Sequence, residues 1–148
     1  MTLNLTKHYF ILIITIVFCQ KIFCQNSKDS KLKIEGANQL FLEKKYDIAK
    51  SLWSEIVFDN PENSNINYKT GVSFLESKSG RINSLKYLKV AAQKVNKLYS
   101  PFDNTISTAP LEVFYYLGKS YHLNNLQDSS IKYLKQFTNV VSKKHYLK

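Results

Sequence analysis

Apolar side chains recur along this chain at helical spacing in six stretches, at about 31–43, 46–59, 64–77, 81–98, 110–123 and 127–142, and each predicts an amphipathic helix. The interruptions between them have a chemical cause. Lys45-Tyr46-Asp47 reads as a tight turn, and Asp59-Asn60-Pro61 ends the second helix, because proline cannot continue a helix and disfavours one in the residue before it. Between Asn96 and Pro110 lie two prolines and a polar cluster, which predict a long loop. Loops of that length are often functional or disordered.

The six helices fall into three similar pairs. In the third, Phe114, Leu117, Gly118 and Tyr121 are followed by Ser130, Leu134 and Phe137. The first pair places Ala37 and Leu40, then Ala49, Trp53 and Ile56, before Pro61; the second places Asn67, Thr70, Gly71 and Phe74, then Ser84, Leu88 and Ala91. A small residue on each first helix lets the second pack close, and a small residue on the second does the same in return. Ala37 and Gly71 are 34 residues apart, whereas Gly71 and Gly118 are 47 apart. One of the extra residues belongs near Gly80, and the others fall in the long loop.

The 34-residue period and the aromatic, Leu-Gly, Tyr order of the third pair resemble the tetratricopeptide repeat (TPR). The implied fold is all-α: three TPR-like helical hairpins stacked as a short right-handed α-solenoid over residues 31–142, with repeats at about 31–63, 64–98 and 110–142 and a loop at 99–109. Three stretches carry a finer likeness: Tyr46-Asp47-Ile48-Ala49, Asn65 to Gly71, and Ala109-Pro110-Leu111 continuing through Tyr115 to Leu123. In these the chain is similar to the N-terminal TPR region of exported Bacteroidetes envelope proteins, which continue into a β-propeller and an OmpA-like peptidoglycan-binding domain. This chain stops at Lys148. It is therefore expected to be a stand-alone or shortened relative.

Ahead of the repeats, Lys7 and His8 precede an apolar run from Tyr9 to Cys19, the pattern of a secretory signal peptide. The run is too short to span a bilayer comfortably. Cleavage after Cys24 is favoured over Cys19, giving a signal at 1–24 and a polar linker at 25–30. Phe18 and Phe23 stand where a lipoprotein signal wants a small residue, which argues against acylation. A chain beginning at Gln25 contains no cysteine, so its core must hold it without disulfides. The expected location is exported, periplasmic or outer-membrane-associated, with only peripheral membrane contact.

The full chain carries a formal net charge of +10, and residues 25–148 have 19 basic against 11 acidic side chains, a net +8. Arg81 is the only arginine. Nucleic-acid readers usually rely on arginine forks for phosphates and bases, so that class is excluded. Weak docking on anionic cell-wall or membrane surfaces remains the alternative function. Catalysis finds no support: beyond the signal only His122 and His145 remain as histidines, and Glu43, Glu55, Glu76 and Glu112 show no metal-ligand or acid–base spacing. No cofactor and no metal are expected.

A binding role is the leading expectation, because stacked hairpins turn their first helices toward one groove. Asn38, Asn65, Tyr68, Tyr115, Lys119 and His122 are its candidate lining residues, the asparagines to bond a peptide backbone and the aromatics to supply contact area. Phe41, Val72 and Leu75 are expected to bury against neighbouring hairpins instead. A carboxylate clamp of the kind some TPR proteins carry is not expected, since Asn38 fits it but Ile34, Lys69, Glu112 and Tyr116 do not. The basic tail at 143–148 is too short to cap the last hairpin, whose outer surface should stay open to a protein partner or to self-association.

Overall fold

The computed structural model describes residues 28–145, with side chains through Ser142. The expected signal peptide, much of the linker and the side chains of the basic tail lie outside the described residues. The chain divides into a unit of Met1–Lys33, of which the described residues 28–33 are helical, and a unit of Ile34–Lys148, which is considered from here on.

Among the described residues the protein is all-helical, with six α-helices and no strand. The helices are α1 (28–42), α2 (Tyr46–Asp59), α3 (Ser64–Glu76), α4 (Ser84–Ala91), α5 (Val113–Leu123) and α6 (Gln127–His145). Three turns, α1 to α2, α3 to α4 and α5 to α6, each contain one residue in the left-handed region: Lys44 at φ 59°, Gly80 at φ 78° and Asn125 at φ 60°. Only Gly80 meets that demand without a side-chain penalty.

The central element is α3, which packs against α2, α4 and α5 and buries eleven of its 13 residues. Its start is fixed by Asn63, whose side chain accepts the Ile66 N–H at 3.1 Å, an N-cap that satisfies one of the helix's orphan donors. Asn67 Nδ2 then donates to the carbonyls of Pro61 at 2.7 Å and Asn63 at 3.0 Å, tying the turn to the helix it opens.

Two cores flank this helix. Ala37, Ala49, Trp53, Ile56, Val57 and Ile66 form one, and Tyr68, Val72, Leu75, Leu88, Ala91, Ala109, Val113, Phe114 and Leu117 form the other. Within the second, the α3–α4 and α5–α6 crossings share one device. A Cβ added to Gly71 would lie 2.6 Å from Leu88 Cγ and 3.2 Å from the Leu88 backbone nitrogen; at Gly118 the corresponding distances to Leu134 are 2.7 and 3.3 Å. Across the seam between α4 and α5, the buried hydroxyls of Ser84 and Ser120 meet at 2.6 Å.

The fourth helix is shorter than its sequence pattern predicts. A 3-10 turn at Arg81–Asn83 leads into α4, which ends at Ala91 instead of 98. Residues 92–98 leave the helix because their backbone finds other partners: Asn96 N–H donates to the Ala109 carbonyl at 2.9 Å, and Ala109 N–H donates to Lys94 at 2.8 Å. Val95 and Ala109 thereby form a parallel bridge that closes the long loop. At the other end α5 starts at Val113 and not at 110, after a turn in which the Pro110 and Leu111 carbonyls accept the N–H groups of Val113 and Phe114. The last helix runs to His145, past the expected 142. It exposes Ile131 and Val141, and Leu126 just ahead of it is exposed as well.

Substituting Gly71→Ala or Gly118→Ala places a methyl against a side-chain branch point and a helix backbone. Each is predicted to destabilise the protein by about 1–3 kcal/mol, outweighing the ~1 kcal/mol that alanine gains in helix propensity. Urea denaturation midpoints at constant m-value check this; an unchanged or raised midpoint would refute the close-approach account.

Candidate functional site

The six candidate groove residues separate into two groups. Asn38, Asn65 and Tyr68 are buried, whereas Tyr115 and His122 are exposed and Lys119 is half-buried. What buries the first group is in large part the loop between α4 and α5. It folds back so that Asn38 Nδ2 donates to the Pro101 carbonyl at 3.2 Å and Asn65 Nδ2 donates to the Ile106 carbonyl at 2.9 Å. The Asn65 backbone N–H reaches Ser107 O at 3.4 Å, while Tyr99 Oη donates to Asn65 Oδ1 at 2.7 Å. The asparagines expected to hold a partner's backbone thus hold the backbone of their own chain.

Tyr68 is a junction of rings. It meets Phe41 at 6.1 Å, Tyr99 at 6.2 Å and Tyr116 at 5.9 Å between centroids, all edge-on, a geometry that adds to simple area burial. Burial raises the Tyr68 and Tyr99 phenols well above their ordinary range, with neighbouring tyrosines and Glu112 adding to Tyr68 and Glu112 to Tyr99. Tyr68 is therefore a core residue, not a free groove contact. Val72 and Leu75 are likewise buried.

The second group lines the open face of α5. Lys119 Nζ bonds Glu76 Oε1 at 2.7 Å and lies 5.5 and 5.9 Å from the ring centroids of Tyr115 and Tyr116. One turn on, His122 Nδ1 is 3.0 Å from Gln127 Oε1. Lys119 and His122 also border a hollow of about 360 Å³ with Arg81, Leu75, Leu123 and Leu134. Arg81 is set there by its Nε, which donates to the Leu75 carbonyl at 2.8 Å. This face combines aromatic rings, cations and an apolar recess.

Sequence reasoning missed Lys69. It is 1% exposed, with Nζ 5.3 Å from the centroid of the equally buried Trp53 ring. Burial depresses its ammonium from 10.5 to about 8, opposed by the carboxylate of Asp103 on the loop. Tyr99 and Pro101, which seat the loop, were also not singled out; a tyrosine two residues before a proline within the loop was the available signal.

Compared with known families, curated proteins and solved structures, the chain matches none. Among the described residues no helix is long and apolar enough to cross a membrane, and no cluster of three His, Cys, Asp or Glu side chains could hold a metal ion.

The buried titratable groups set a pH profile. Folded Lys69 releases its proton near pH 8 while the unfolded chain keeps it to about 10.5, so the unfolded state binds more protons in between and stability rises there with pH. Tyr68 and Tyr99 keep their protons when folded, whereas unfolded tyrosine ionises near 10, so stability falls above that pH. Denaturation across this range should therefore show a maximum at about pH 9–10. Lys69→Met should remove the rising limb and stabilise the protein at pH 7 by about 1–3 kcal/mol; a wild-type profile flat from pH 7 to 10 would contradict the burial argument.

Proposed function

We propose that this protein is an exported, non-catalytic helical-hairpin scaffold of the TPR type that binds a protein partner in the cell envelope. Its three hairpins, α1/α2, α3/α4 and α5/α6, stack as a short solenoid whose first helices present the binding face. The observation that carries this reading is the pair of asparagine amides on that face, Asn38 and Asn65, each bonded to a backbone carbonyl of a non-helical segment. A face that orders one irregular peptide segment by backbone bonds and aromatic contact is chemically suited to a second. The open side of α5, with Tyr115, Lys119 and His122, extends it.

The competing reading is electrostatic docking on anionic envelope surfaces, favoured by the lysine-rich net charge of +8 on residues 25–148. Salt separates the two, because contacts between exposed charges are screened and buried aromatic contacts are not. Tagged protein should retain a specific partner from envelope extract at both 0.1 and about 0.5 M salt. Tyr115→Ala/Lys119→Ala should reduce that retention at least about tenfold, the loss expected on removing an interface hot spot. Retention that disappears with salt alike in both proteins would support surface docking and end the scaffold reading.

A further inference from the structure

Residues 96–109 form a closed loop whose ends are pinned together by the Asn96–Ala109 and Ala109–Lys94 backbone bonds. Within it, Asp103 Oδ1 accepts from both the backbone N–H and the hydroxyl of Thr105, so the loop has its own internal order. Its seat combines the directed bonds to Asn38 and Asn65 with the edge-on contact of the Tyr99 ring with Tyr68. Leu98 and Phe102 are 87% and 75% exposed and contribute little burial, whereas Tyr99 and Ile106 are half-buried. A partly open hollow of about 300 Å³ lies beside the seated loop, bordered by Tyr68, Tyr99, Pro101, Pro110, Leu111 and Glu112.

The seat is also incompletely satisfied. Asn38 Oδ1 is buried and has no hydrogen-bond partner, as has Thr108 Oγ1 on the loop itself. The reason at Asn38 is chemical. Its amide has one donor side and one acceptor side, suited to the C=O and N–H of a peptide. The loop offers it the carbonyl of Pro101, a residue with no N–H to give back.

We propose that segment 96–109 is an intramolecular occupant of a peptide-binding site on the face of α1 and α3. The site takes a peptide segment that presents a tyrosine to Asn65 and Tyr68 and, two residues on, a non-proline backbone unit to Asn38. This rests on reading the face as protein-binding and adds that the site is self-filled and gated. A partner gains access by displacing the loop, so its apparent affinity is reduced by the fraction of molecules with the loop seated.

The probe is a fluorescent synthetic peptide spanning residues 96–109, titrated into the full chain and followed by anisotropy. Wild type should bind it weakly. Tyr99→Ala in the protein, which removes the loop's anchor at Asn65, should bind it at least about tenfold more tightly. A peptide carrying Pro101→Ala should bind that variant several-fold more tightly than the unmodified peptide. Adding Asn38→Ala to the protein should erase the difference between the two peptides, and circular dichroism confirms that each variant is folded. Equal affinity of wild type and a folded Tyr99→Ala protein, or no binding to either, would overturn the gated site. The scaffold reading would survive that result, since partner capture from extract through Tyr115 and Lys119 is measured independently.

Discussion

A helix buried on almost every side must satisfy every polar group it carries, and in this protein that helix is polar. Of the buried residues of α3, Ser64, Asn65, Asn67, Tyr68, Lys69, Thr70 and Ser73 carry side-chain donors or acceptors. An unpaired one costs about 1–3 kcal/mol. The surrounding elements are accordingly arranged to offer carbonyls. Ser64 reaches Val90, Asn67 reaches Pro61 and Asn63, and Thr70 bonds Ile66 in its own helix and approaches Trp53 across the α2 interface. Asn65 takes its carbonyl from the loop. Ser73 Oγ and the Trp53 indole nitrogen, like Asn38 Oδ1 and Thr108 Oγ1 at the loop, are buried without a partner. The placement of α2, α4 and the loop is thus as much a solution to hydrogen bonding as to apolar burial.

Close approach makes that solution possible. Backbone carbonyls of a neighbouring helix come within reach of short serine and threonine side chains only if the helices lie near one another. Gly71 against Leu88 and Gly118 against Leu134 bring the paired helices together. The Ser84–Ser120 contact then joins one pair to the next. Helix crossing, polar satisfaction and the position of Tyr68 on the face of α3 are consequences of one geometry.

The sequence made most of this geometry legible because the helix period and the small residues at Ala37, Gly71 and Gly118 are local signals. It concealed the end of α4, where helical spacing persists through Leu98 but the backbone turns away at Ala91 to pair with Ala109. That pairing is non-local, and no pattern of apolar residues encodes it. Asn38, Asn65 and Tyr68 were identifiable as residues of one face, yet their burial was not, because the loop residues they contact lie 31 to 63 residues away in sequence. Lys69 was read only as a failed clamp position. Charge in a helical pattern ordinarily signals a solvated side, and nothing in the sequence alone reveals that Trp53 and the adjoining chain enclose it.

Tethering explains how an imperfectly fitting loop can hold its seat. A segment attached at both ends acts at an effective concentration of roughly millimolar, so it needs little intrinsic affinity to stay bound. A separate partner lacks that advantage and must offset it with contacts the loop does not make. On the proposed gated reading, the unsatisfied Oδ1 of Asn38 and the hollow beside Tyr68 and Tyr99 are places for such contacts. Selectivity then follows from the same arrangement, because a peptide that only reproduces the loop's bonds cannot displace it, whereas one that also donates to Asn38 and reaches Tyr115 gains where the loop has nothing to lose.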